Sequence, residues 1–300
     1  MNLPRRVRIV EVGPRDGLQN EAAVLTVDDK VAFIDRLSDA GYHTIEAGAF
    51  VGPNWVPQMA DSGDVFARIA RRPGTRYTAL VPNLAGLDRA VAARADEIAI
   101  FAAASESFSR RNINQGIDAS LATYAAVCAR AEALNLPVRG YVSTAFGCPF
   151  EGHVDPARVA DVSAALIAMG AYEVSVSDTI GVAHPGQVPA VLAAVTARVP
   201  LDRVALHFHD TRGTALANVL AALDVGVTTF DASAGGLGGC PYAPGATGNL
   251  ATEDLLYMLD GLGVETGVSL DKVVAASRFI EQRIGHPLAS RYLAATRSRG

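Results

Sequence analysis

The chain has 300 residues, half of them hydrophobic and 19% charged, with a formal net charge of −5. That composition supplies a large core, and interleaved acids and bases without a basic stripe argue against nucleic-acid binding. No apolar run approaches the ~18 residues of a membrane span, and basic Met1–Arg8 runs directly into strand-like sequence, so neither an anchor nor a signal peptide is expected.

The first strand is predicted at Val7–Val12, followed by the tight turn Gly13-Pro14-Arg15-Asp16-Gly17. Thr26–Ala40 has helical period, with Thr26 placed as a capping side chain, acids in the first turn and Gly41 as the stop. Further strands follow at His43–Ala47, which contains Glu46, and at Tyr77–Val81 and Glu97–Phe101. A helix is predicted over Asp118–Leu134 and a strand over Val138–Thr144. Asp155-Pro156 opens the helix Pro156–Met169, which Gly170 ends. Strand Glu173–Ser177 runs into Asp178, helix Pro185–Val199 follows, and strand Val204–His209 carries His207 and His209. Helix Gly213–Val225 stops at Gly226, and the last strand is Thr228–Ala232. Beyond it, five glycines and two prolines between Gly235 and Gly245 exclude regular structure around Cys240. The tail reads as two more helices, Glu253–Leu262 and Leu270–Gly285.

Strands and helices that alternate throughout imply a parallel sheet. An open doubly wound sheet is the competitor, but no Gly-x-Gly-x-x-Gly turn follows the first strand. Eight evenly spaced strands favour closure into a (β/α)₈ TIM barrel, an architecture that needs about 250 residues. We expect one catalytic domain: a barrel over about residues 5–250, with the C-terminal helices of about 251–300 capping it or joining an oligomer interface. Three cysteines, Cys128, Cys148 and Cys240, are an odd number without metal-type spacing, which suits a reducing cytoplasm.

In such a barrel the chemistry belongs at the C-terminal ends of the strands, where Arg15, Asp16, Glu46, Asp178, His207, His209, Cys240 and Asn249 all fall. His207 and His209 are two apart on one strand and therefore share a face. A pair of histidines could be satisfied core residues, but a same-face pair at a strand end opposite a carboxylate favours metal ligation. Asp16 is the third candidate ligand and the Asn249 amide oxygen the fourth. Nitrogen and oxygen donors without thiolate suit Mg²⁺ or Mn²⁺ better than zinc. A guanidinium fixed beside that cation, at Arg15, could hold an oxyanion. Glu46 and Asp178 are strand-end carboxylates that could cap, pair or tune protonation.

The segments Gly13-Pro14-Arg15-Asp16-Gly17-Leu18-Gln19-Asn20-Glu21, Gly147-Cys148-Pro149-Phe150-Glu151-Gly152, Asp178-Thr179-Ile180-Gly181, His207-Phe208-His209-Asp210 and Gly236-Leu237-Gly238-Gly239-Cys240-Pro241 together resemble the 3-hydroxy-3-methylglutaryl-CoA lyase family. The likeness runs from about residue 7 to about residue 265. It implies metal-dependent cleavage of an acyl-CoA into acetyl-CoA and acetoacetate, with Asp16, His207, His209 and Asn249 as ligands of Mg²⁺ or Mn²⁺. It also implies that Arg15 and Gln19 meet substrate, that Cys240 transfers a proton, and that Glu46, Asp178 and His207 join the acid/base network. A homo-oligomer, dimer or tetramer, is expected. Ala49 stands where the family usually has serine, and Ser177 where glycine is common, so a longer 3-hydroxy-3-alkylglutaryl substituent stays open. A synthase running the carbon–carbon bond the other way, a CoA-free aldolase and an inactive binding subunit are the other readings.

Overall fold

The computed structural model describes residues 3–52, 55–239 and 248–297. Cys240, and with it the tip of the glycine-rich loop, lies outside the described residues. Eight parallel strands close in sequence order: β1 (Arg8–Glu11), β2 (Thr44–Ala49), β3 (Arg76–Leu80), β4 (Glu97–Ala103), β5 (Val138–Ser143), β6 (Glu173–Asp178), β7 (Val204–Phe208) and β8 (Thr229–Ala232). β8 pairs back onto β1, from Arg8 opposite Thr229 to Glu11 opposite Ala232. This is the (β/α)₈ barrel expected from the alternation.

Helices α1 (Val27–Asp39), α2 (Ser62–Arg68), α3 (Leu84–Ala92), α4 (Glu106–Ile113), α5 (Ile117–Ala133), α6 (Pro156–Ala168), α7 (Val188–Thr196) and α8 (Ala215–Val225) follow the first seven strands, and α9 (Thr252–Gly261) follows the eighth. Two of the caps read from sequence are made: Thr26 Oγ1 accepts from the Asp29 amide at 3.1 Å, and Asp155 Oδ1 from the Ala157 amide at 2.9 Å. Such caps satisfy amides that the first helical turn leaves without intrahelical partners. Of the C-terminal helices, α10 (Leu270–Ile284) packs against both α1 and α9, closing the outer layer, and α11 (Arg291–Ala295) packs on α9.

Several strand ends move by one or two residues from the sequence expectation, and two of them shape the site. β2 runs on to Ala49 through an irregularity between Glu46 and Gly48, where a Cβ on Gly48 would stand 2.7 Å from Ser62 Oγ of α2. β7 ends at Phe208, and His209 instead bridges Asn249. The returning segment 248–252 lies beside the ends of β7 and β8: the Leu250 amide donates to Phe208 O and the Ser233 amide to Leu250 O.

Apolar side chains fill the space between barrel and helices, while ion pairs cross the barrel interior. Arg8 of β1 bonds Glu173 of β6, and Arg139 of β5 bonds Asp231 of β8 at 2.7 Å. Neither pair of strands is adjacent, so these contacts bridge the lumen.

Candidate active site and metal centre

The turn after β1 is a single wide loop in which the amides of Arg15, Asp16 and Gly17 converge on Val12 O at 3.2, 2.7 and 3.2 Å. It lifts Arg15 and Asp16 together over the C-terminal mouth. Arg15 then makes three charge-assisted hydrogen bonds: Nε and Nη2 donate to Glu46 Oε1 and Oε2 at 2.7 and 3.1 Å, and Nη1 to Asp16 Oδ1 at 2.7 Å. A two-pronged guanidinium–carboxylate contact fixes orientation as well as charge. Burial opposes the Arg15 charge, but Glu46 and Asp16 outweigh it and hold the guanidinium protonated beyond its ordinary range.

Asp16 is the hub. Gln19 Nε2 donates to its Oδ1 at 3.1 Å and Asn249 Nδ2 to its Oδ2 at 2.9 Å. Burial would raise this carboxyl, yet Arg15 and then His207 hold it below the usual carboxylate range. His207 Nε2 is 3.9 Å from Asp16 Oδ2, and the rings of His207 and His209 stand 5.1 Å apart between centroids. The shared face expected from the His-x-His spacing is therefore present.

These residues fit a divalent cation. Among the described residues, Asp16, His207 and His209 offer ligand atoms that all lie within 4.8 Å of one another. His209 Nδ1 and Asn249 Oδ1 are buried without a hydrogen-bond partner, a costly state unless something else meets them. Burial, and then the neighbouring His207, push His209 down to about 4, so its imidazole is neutral at pH 7 and keeps a lone pair to donate. Two nitrogens and oxygens without sulfur match a hard cation.

Sequence reasoning missed a supporting group across the barrel. Tyr141 Oη donates to Glu46 Oε2 at 2.6 Å, and Arg139 Nη1 donates to Tyr141 Oη at 3.0 Å. Arg139 also donates to Glu173 Oε1 at 2.8 Å and Asp231 Oδ1 at 2.7 Å, while Ser175 Oγ donates to Asp231 Oδ2 at 2.7 Å. Asp231 Oδ2 in turn faces His207 Nδ1 at 3.3 Å, leaving Nε2 toward Asp16. Burial would raise Asp231, but Arg139 and His207 drive it well below the carboxylate range. A chain of hydrogen bonds thus runs from Glu173 through Arg139, Tyr141 and Glu46 to Arg15. Its one sequence signal is alternation: Arg139 and Tyr141, and Glu173 and Ser175, are polar side chains two apart on their strands.

Asp178 is placed differently from the rest. Its two oxygens accept the amides of Val182 and Ala183 at 2.9 and 3.1 Å, so it shapes the loop after β6. Burial pushes it up to about 6 against those bonds and the influence of His207. The glycine-rich loop leaves β8 through Gly235, Gly236 and Gly238, all at positive φ. At Gly238 (φ 110°) a Cβ would lie 2.9 Å from Asn249 Nδ2, so glycine lets the loop press against the Asn249 amide.

Fold and site define the class: a TIM-barrel enzyme with an arginine–carboxylate pair and a cation-ready cluster at its C-terminal mouth. Family comparison is specific beyond that. The HMGL-like family matches residues 6–280, and the chain belongs to that family. It is 53% identical over 294 residues to the mitochondrial hydroxymethylglutaryl-CoA lyase of Pongo abelii, covering 98% of this chain and 90% of that one. The crystal structure of hydroxymethylglutaryl-CoA lyase from Pseudomonas aeruginosa superposes with a TM-score of 0.98 at 51% identity, covering all of both chains. An HMG-CoA lyase from Acinetobacter baumannii, solved with coenzyme A and 3-methylmalate, gives 0.93 at 38% identity over 98% of this chain and 96% of that one.

Proposed function

We propose that this protein is a carbon–carbon lyase that cleaves 3-hydroxy-3-methylglutaryl-CoA to acetyl-CoA and acetoacetate. The observation that carries the reading is the joint placement of Arg15, Asp16, Glu46, His207, His209 and Asn249 at one barrel mouth, in a chain about half identical to such lyases throughout. The Acinetobacter baumannii relative's complex with coenzyme A supports an acyl-CoA substrate.

Asp16, His207, His209 and Asn249 would hold Mg²⁺ or Mn²⁺, which when bound polarises and acidifies the substrate's tertiary hydroxyl as a Lewis acid. The hydroxyl proton passes to a base beside that cation, with His207 and Asp16 the two candidates at the mouth. The O–H electron pair becomes the ketone C=O of acetoacetate as the C2–C3 bond breaks. That bond's pair moves into the thioester as an enolate, whose oxygen Arg15 stabilises from a position fixed by Glu46 and Tyr141. Gln19 steadies Asp16 at the substrate's edge of the turn. Cys240 donates the proton that quenches the enolate carbon, and Cys240→Ser with near-full turnover would remove it from the chemistry. Asp178, through the loop after β6, and Glu46 are the supporting carboxylates.

The direct test is acetyl-CoA release from 3-hydroxy-3-methylglutaryl-CoA with Mg²⁺, with Mn²⁺ and after EDTA treatment. Metal-dependent turnover of about 1–10³ s⁻¹ is expected. No turnover with metal demonstrably bound would refute this substrate and direct the assay to longer-chain glutaryl thioesters. The free, buried Cys128 and Cys148 support a reducing, cytoplasmic setting, and a homo-oligomer is expected by light scattering. Among the described residues no helix is long and apolar enough to cross a membrane.

A further inference from the structure

The last main-chain bond that joins β1 to β8 at the mouth is the Val12 amide to Ala232 O, at 2.9 Å. Above it the two strands give way to different turns, one carrying Arg15 and Asp16, the other opening the glycine-rich loop. Glu11 sits at this parting point with its side chain fully buried and within reach of Thr252 at the start of α9. Its Oε1 accepts the Gly13 amide at 2.8 Å and the Ala234 amide at 2.9 Å, and its Oε2 accepts Thr252 Oγ1 at 3.0 Å. One carboxylate thus joins the first residue of each turn to the start of α9. The approach is close enough that a Cβ on Gly13 would lie 2.7 Å from Glu11 Oε1. Next to it, Glu253 Oε2 accepts the Gly235 amide at 2.7 Å, so two successive amides of the β8 turn end on buried carboxylates.

Burying an acid here is unfavourable, and burial pushes both Glu11 and Glu253 up to about 7. Neither is part of the Arg15 and Asp16 hydrogen-bond network. What Glu11 supplies is a pair of acceptors that spans two turns, and those turns carry Asp16 on one side and lead to Asn249 on the other. Asp16 and Asn249 are themselves joined across the seam at 2.9 Å. We propose that Glu11 is a positioning residue, a buried tie that holds the Arg15–Asp16 turn against the β8 turn and so keeps Asp16 and Asn249 in register for a shared cation. The inference rests on the metal reading of the site given above.

Two variants separate geometry from charge. Glu11→Gln keeps one oxygen for both amides and offers an NH₂ to Thr252 Oγ1. Glu11→Asp keeps the acid but withdraws it by one methylene. Mn²⁺ affinity is measured by calorimetric titration of the full chain, and amide hydrogen exchange is followed over 11–17 and 232–239. E11D is expected to bind Mn²⁺ more weakly, on the order of tenfold as for other groups that orient ligands, with faster exchange in both segments. E11Q is expected to match the wild type in both. Unchanged Mn²⁺ affinity in E11D overturns the proposal, and so does an E11Q that is as impaired as E11D, since charge rather than acceptor geometry would then matter. A wild-type chain that takes up no Mn²⁺ overturns the metal reading instead; the tie itself is then judged on exchange, which E11D must accelerate and E11Q must leave unchanged.

Discussion

Arg139→Met removes the residue on which the interior of the barrel turns. Its side chain is 1% exposed and donates to Glu173, Asp231 and Tyr141 at 2.8, 2.7 and 3.0 Å. Methionine fills much of the volume, so the loss is electrostatic: Asp231 and Glu173 keep their burial without their cation. Arg8 still reaches Glu173, which leaves Asp231 as the main orphan. Taking one partner from a buried ion pair costs about 3–5 kcal/mol. At roughly 2–3 °C per kcal/mol for a chain this size, the melting temperature should fall by about 6–15 °C at pH 7.5. The sign of the pH dependence follows from Asp231. In the wild type, burial would raise its pKa, but Arg139 and His207 hold it depressed, so its stabilisation is present above the ordinary carboxylate value and lost only in strong acid. In the variant burial dominates, the folded-state pKa rises, and the penalty is relieved as the carboxyl protonates on acidification. The deficit should therefore be larger at pH 7.5 than at pH 5. Calorimetric scans in EDTA on wild type, Arg139→Met and the double variant Arg139→Met/Asp231→Asn test this, with the added Asn restoring part of the loss. A deficit under 1 kcal/mol, one independent of pH, or further loss on adding Asp231→Asn would each refute the reasoning.

Glu253→Gln should stabilise the protein in alkali. Burial raises Glu253 from 4.5 to about 7, so its stabilisation is complete below 4.5 and lost as pH rises through 7. Glutamine stays neutral, keeps an acceptor for the Gly235 amide and turns its other end toward Ser277. At pH 8 a gain on the order of 1–3 kcal/mol over wild type is expected, vanishing by pH 5, as thermal melts will show. Glu46→Gln breaks the two-pronged contact to Arg15, and kcat should fall by about 10²-fold with Mn²⁺ affinity within a few-fold; a matching loss of metal binding would assign Glu46 to the cation instead. Gly238→Ala forces a Cβ toward Asn249 Nδ2 at a φ of 110°. Mn²⁺ binding should weaken, and thermal melts should show a loss of more than ~1 kcal/mol, since alanine at a positive φ destabilises by more than a compatible replacement stabilises.

Local chemistry was legible along the chain. Period and punctuation alone locate the eight strands, because a strand's alternation and a helix's caps are made by residues a few positions apart. The same holds for the shared face of His207 and His209 and for the turn that presents Arg15 with Asp16. The resemblance in these motifs likewise pointed to the family to which the chain belongs. Strand ends were less legible, since the extension of β2 answers to Ser62 of α2 and the close of β7 to a segment returning from residue 248.

Partnership was decided by the tertiary structure. Tyr141 lies 95 residues from Glu46, Arg139 is 92 from Asp231, Glu11 is 223 from Ala234 and Asn249 is 233 from Asp16. Nothing in a local pattern distinguishes an arginine that will sit in water from one that will cross a barrel lumen, since both read as one charge on a strand. Asp178 shows the same limit: its strand-end position left capping, pairing and tuning of protonation open, and the fold engages both its oxygens with the amides of its own loop. Sequence determined which chemical groups are present and which way each strand turns them. Only closure of the barrel set which groups are driven out of water together, and there a charge must find its counterpart, however distant in the chain, or the fold bears the cost of its burial.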